Sequence, residues 1–150
     1  MEIASDSWIV INPGTYNIPD AGNDGLMQIN NKENIIIDGA GVTANGTNSL
    51  GYMIKINNSS NIVIKNFEQV GYYYYAVYIT NSDHITINNN TFNYNKVDST
   101  GWISIWTNYN QALGGGVMMY QTEYAQVFDN NMKFSFTFDN FGNATVAGSL

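Results

Sequence analysis

Cysteine and arginine are absent from this 150-residue chain, proline occurs twice, and only 11% of the residues are charged. Without cysteine, neither disulfides nor thiolate metal sites hold the protein together. The basic residues are five lysines (Lys32, Lys55, Lys65, Lys96, Lys133) against twelve acidic side chains, a formal net charge of -7. Such a chain has no basic patch to neutralise phosphates, which excludes nucleic acid as a partner. No run approaches the roughly 18 consecutive apolar residues of a membrane helix, so no membrane insertion is expected. Residues 1–6 offer neither the basic nor the apolar region of a secretory signal.

What the chain does have is asparagine, 24 residues of it, with 14 glycines and a 44% hydrophobic content. Its surface is therefore polar through amides and hydroxyls. The length is that of one domain, which at this size buries roughly 70% of the surface its unfolded form exposes. Low charge, absent cysteine and Asn-x-Ser/Thr triplets at Asn45, Asn57, Asn58, Asn89 and Asn143 suit an extracellular or cell-surface protein.

Internal periodicity organises the chain. Residues 27–38, 54–65, 77–88 and 118–129 superimpose without gaps, each reading apolar-x-apolar, a polar turn, then apolar-x-apolar again. Period-two alternation makes these strands. The turns are rich in Asn (Asn31, Asn34, Asn58, Asn61, Asn81), which tolerates left-handed backbone. Steps of 27, 23 and 41 residues separate the segments. Recurrence at these intervals stacks equivalent strands in parallel, so alignment columns become ladders. Met27, Ile54, Val77 and Met118 form one inward column in this reading, and Ile37, Ile64, Ile87 and Phe128 another. Asn66, Asn89 and Asn130 form a polar column, and Asp38 faces Lys65.

Asn61-Ile-Val-Ile-Lys-Asn66, Asp83-His-Ile-Thr-Ile-Asn-Asn-Asn-Thr-Phe92 and the opening Ile9-Val-Ile-Asn-Pro-Gly-Thr-Tyr16 resemble right-handed parallel β-helix proteins of the pectin-lyase-like superfamily, over residues 8–132. The resemblance implies an all-β, short right-handed parallel β-helix (a solenoid) forming a single domain over 1–150. Past the repeat, Phe134 to Phe138 and Ala144 to Val146 read as two strands around a five-residue turn, so residues 133–150 are expected to form a hairpin-like C-terminal cap. Buried in that reading, the Phe134, Phe136 and Phe138 face covers the open end within one chain or meets a second copy, giving a monomer or an end-to-end homo-oligomer.

A superfold that hosts lyases, hydrolases, epimerases, adhesins and phage fibres does not fix function. The arginine of the commonest lyase chemistry is missing, as are the Asn-Thr-Asp, Asp-Asp, Gly-His-Gly and Arg-Ile-Lys signatures of polygalacturonase-like relatives and the Asp-Pro-His-Glu of epimerase-like ones. Candidate catalytic groups are Lys96, Asp98 and His84, each with a plainer reading as a loop or turn residue. Asp38, Asp83, Asp98, Glu123 and Asp129 could offer oxygen ligands to Ca²⁺, but no calcium-binding repeat is present and no cofactor is expected. Variable connections between the segments carry the aromatics, notably Tyr73, Tyr75, Trp102, Trp106 and Tyr109. Loops on one side of a repeat architecture are often its binding side. Rings with amide partners suit the apolar faces and hydroxyls of a sugar. The expected function is a module contacting polysaccharide through an aromatic-rich groove without complete catalytic machinery. A polysaccharide lyase or glycoside hydrolase, and a structural adhesin or fibre segment, are the alternatives.

Overall fold

The computed structural model describes residues 3–18, 25–49, 51–72, 75–93, 115–138 and 144–149. Among them the secondary structure is strand throughout: β1 (Ser7–Val10), β2 (Gly14–Asn17), β3 (Met27–Asn30), β4 (Glu33–Ser49), β5 (Tyr52–Asn57), β6 (Ser60–Tyr72), β7 (Tyr75–Asn88), β8 (Thr91–Asn93), β9 (Gly115–Glu123), β10 (Gln126–Phe128), β11 (Asn131–Phe138) and β12 (Ala144–Ser149). These strands form one curled, mostly parallel sheet, compatible with a β-helix-like fold. The curl arises because β4, β6 and β7 are long and bent, each pairing through different halves with different neighbours.

Three parallel ladders result. The first runs β3, β5, β7, β9, with Met27, Ile54, Val77 and Val117 in register. The second runs β1, β4, β6, β7, β10, with Ile9, Ile37, Ile64, Ile87 and Val127 in register. The third runs β2, β4, β6, β8, β11 and ends in β12, which lies antiparallel to β11. Inward residues of these ladders form one apolar cluster, in which Ile35, Ile37, Ile62, Ile64, Ile85 and Ile87 are fully buried. Gly39 sits at an irregularity of β4 where the register shifts between Asp38 and Val42. A Cβ there would lie 2.5 Å from the Phe67 ring, so only glycine admits that ring.

The expected inward columns hold through three rungs, and the fourth is corrected by one residue. Val117, not Met118, stands beside Val77, and Val127, not Phe128, beside Ile87. Asn130 likewise aligns with Asn90, since Asn131 pairs with Thr91. The apolar side chains Met118, Tyr120 and Phe128 imitate an inward pattern, but the neighbouring Val117, Met119 and Val127 occupy the inward columns. Backbone conformation identifies the true register. Asn31, Asn58, Asn81 and Gln121 all have positive φ, as do Asp6, Asn34, Asn61, His84 and Tyr124, and again Asn66, Asn89 and Asp129. These three sets are equivalent corner positions, where the chain must turn left-handed.

Corner side chains satisfy the backbone and one another. Asn58 Nδ2 donates to Asn31 Oδ1 at 2.6 Å, Asn61 to Asn34 at 2.8 Å, and Asn89 to Asn66 at 2.7 Å. Inside the corners, the Ser82 hydroxyl donates to the Thr80 carbonyl and accepts from the Ser59 backbone N–H. Asn90 donates to the Ile64 and Asn88 carbonyls while accepting from the Phe67 N–H. Backbone groups that a bend removes from the ladder thus find partners. Gln69 and Asn93 are exceptions: Gln69 is fully buried between Ala44 and Phe92 in the third ladder, and neither its amide nor the buried Asn93 Oδ1 has a hydrogen-bond partner among the described residues.

Candidate functional site

Alternation in the first ladder sends Ile54, Ile56, Val77 and Ile79 inward, so Lys55 and Tyr78, paired in register, point outward. Tyr52 pairs with Tyr75 three residues earlier, at the start of β5 and β7. The three tyrosines gather into one cluster. Tyr52 and Tyr78 have ring centroids 5.1 Å apart, and Tyr75 lies 6.5 Å from Tyr52 and 6.3 Å from Tyr78, its ring plane nearly parallel to that of the former at 13°. Met118, next to Tyr78 in the ladder, packs against them.

Exposure separates their roles. Tyr75 is only 7% exposed and forms the floor, while Tyr52 and Tyr78 are half-buried and present the accessible surface. Burial, with the Tyr78 phenol as a second cause, pushes the Tyr75 hydroxyl above its usual range, so it serves as a neutral hydrogen-bonding group. The Lys55 ammonium lies 5.5 Å from the Tyr52 centroid and 5.8 Å from that of Tyr78, within cation–π range of both. No carboxylate is ion-paired with it among the described residues. A platform of rings beside a cation can hold a ligand with an apolar face and oxygen substituents.

Of the sequence-predicted binding residues, Tyr75 therefore belongs to an aromatic cluster but lies beneath its surface. Tyr73, Trp102, Trp106 and Tyr109 lie outside the described residues. So do the catalytic candidates Lys96 and Asp98. His84 is placed in the corner column after Asn61, as a substitute for a turn asparagine, with Nδ1 2.6 Å from Asp83 Oδ1 and its ring stacked 4.9 Å from Tyr124. Both members of that pair are well exposed, and they lie beyond the Asn81 corner of β7 from Tyr78. No group of three or more potential metal-ligating side chains occurs among the described residues. Of the proposed calcium carboxylates, Asp38 is instead engaged by the Lys65 ammonium at 3.2 Å and the Asn66 amide at 2.7 Å.

Sequence reasoning missed Tyr78 and Lys55. The signal was available: each lies between two inward apolar residues of a recognised strand, Val77 and Ile79 or Ile54 and Ile56, and so must face out. Attention to the connections hid what the strands carry. No protein-family model matches the chain, and neither the curated proteins nor the solved structures contain a match to it.

Proposed function

We propose that this chain is a right-handed parallel β-helix module of the pectin-lyase-like type that binds polysaccharide in an extracellular or cell-surface setting. The outer face of the first ladder is the contact surface. What carries the reading is the Tyr52, Tyr75 and Tyr78 cluster with Lys55 beside it. A pyranose ring has an apolar face that loses little on leaving water when it lies on a tyrosine ring, and its hydroxyls hydrogen-bond the amides and phenols around. The lysine adds attraction for any sugar that carries a carboxylate, worth about 1 kcal/mol at an exposed site. The rigid parallel ladder fixes the spacing of these groups before a ligand arrives, which reduces the ordering cost of binding.

A glycan array followed by titration calorimetry with the strongest ligand tests this reading. Tyr78→Ala is expected to weaken binding at least tenfold, and Lys55→Met to weaken it preferentially for acidic glycans. Circular dichroism should be unchanged in both variants. A chain that binds no glycan, or one in which Tyr78→Ala changes neither the number of bound oligosaccharides nor their affinity, overturns the proposal. Unsaturated products absorbing in the ultraviolet after incubation with acidic polysaccharide would instead move the chain to the lyase class.

A further inference from the structure

The constellation of an aromatic ring with a lysine above it occurs a second time, on a different ladder. In the second ladder Trp8 is in register with Ile36 and Val63, and Val10 with Asp38 and Lys65. Trp8 is 69% exposed although it sits in a paired strand, and Val10 is 66% exposed. Lys65 Nζ lies 5.8 Å from the Trp8 ring and 3.2 Å from Asp38 Oδ2. Asp38 Oδ1 is in turn held by Asn66 Nδ2 at 2.7 Å and by the Ala40 N–H at 3.2 Å. The indole thus carries the Lys65 ammonium over one face, with the Asp38 carboxylate beyond it, while most of the ring stays exposed.

We propose that this face is a second glycan-binding site, separate from the tyrosine platform, in which Trp8 stacks on one sugar ring while Lys65 and Asp38 hydrogen-bond its hydroxyls. The inference rests on the glycan reading of the first site and extends it. Size selects the occupant. Ile36 and Val63 are already half-buried and Phe128, exposed in the same outward column, stands two rungs beyond Lys65, so among the described residues the freely exposed apolar surface at this point is one indole and one valine. A protein partner would need roughly 800 Å² on this side for a stable interface. A single pyranose ring needs only the indole. The charged pair beside it matches sugar hydroxyls, which donate and accept at once.

The two sites lie on different ladders of a curled sheet, so they face different directions. The module is therefore bivalent toward separate strands of a polysaccharide, and simultaneous engagement multiplies affinity for an insoluble matrix without any new contact.

The test is titration calorimetry with cellohexaose, chitohexaose and hexagalacturonate, alongside pull-down on the insoluble polymer of whichever binds. The intact chain is expected to bind two oligosaccharides, Trp8→Ala one, Tyr78→Ala one, and the double variant none. Each single substitution is expected to reduce retention on the insoluble polymer more than tenfold. Trp8→Phe, which keeps a ring, should retain part of the binding at that site, and circular dichroism checks that all variants fold alike. Binding of one oligosaccharide that Tyr78→Ala abolishes and Trp8→Ala leaves untouched refutes the second site and leaves the first standing. No binding of any of the three by the intact chain refutes both.

Discussion

Asparagine is abundant here because of where the backbone turns. Seven of the corner residues with positive φ are asparagines, and a left-handed backbone costs an ordinary L-residue roughly 1 to 2 kcal/mol. Asn61 combines φ 54° with an amide bond to Asn34 in the preceding rung. Replacing it by glycine removes the bond and keeps the backbone relaxed; replacing it by alanine removes both benefits. Asn61→Ala should therefore unfold at lower urea than Asn61→Gly, by about 1 kcal/mol, the reverse of the usual order for a residue flanked by strand. Asp38 supplies a pH effect. The Asn66 amide, then the Lys65 ammonium and the Ala40 N–H, hold its carboxyl below the ordinary range despite partial burial, which acts the other way. A depressed native pKa means that the unfolded chain takes up the proton first as pH falls, so this contribution is present near neutrality and lost in acid. In urea titrations Asp38→Asn should be less stable than the parent at about pH 6, with the difference shrinking toward about pH 3.

Strands and their facing were legible because period two is written directly into residues such as Ile35, Ile37, Ile62 and Ile64. The register of the first three rungs was legible because similar sequences lie side by side. The fourth was misread by one residue because alternation has only two phases, and an apolar outer face looks the same as an inner one. Met119 and Val127, inward by pairing, are still 41% and 37% exposed on the trailing rung, so which way they face could not be inferred from their chemistry. Gln69 illustrates the converse: no polar residue announces that it will be enclosed, and its position between Ala44 and Phe92 follows from the irregularity in β4 that shifts the register of the third ladder.

At the scale of the whole molecule, the three ladders end differently. Among the described residues β9 and β10 pair only with β7, whereas β11 is covered by the antiparallel β12. The strand pair expected past the repeat is thus present as β11 and β12. An antiparallel strand at that level occupies the place that β2 of a second copy would need for coaxial stacking. The intact chain should accordingly sediment as a monomer. Termination after Lys133 removes β12 and residues 134–138 of β11, leaving Asn131–Lys133 on β8 as a short bare parallel edge, and concentration-dependent association is the expected result. Light scattering of the two chains checks this, and a shortened chain that stays monomeric would show that β12 does not guard the edge.

From the sequence alone came the all-β class, the parallel stacking and the inward columns of three rungs. These follow from local periodicity and from the likeness of one segment to the next. It likewise carried the charge balance, twelve acidic against five basic side chains. Only the tertiary structure decided which outward residues of different rungs come together. Tyr52, Lys55, Tyr75 and Tyr78 fall on two rungs, and Trp8, Asp38 and Lys65 on three. Their meeting depends on rung lengths of 28, 27 and 23 residues set by irregular connections rather than by any motif. A surface assembled across a ladder has no signature along the chain, because the distance that matters is the spacing of strands, about 4.8 Å, and not the separation in sequence.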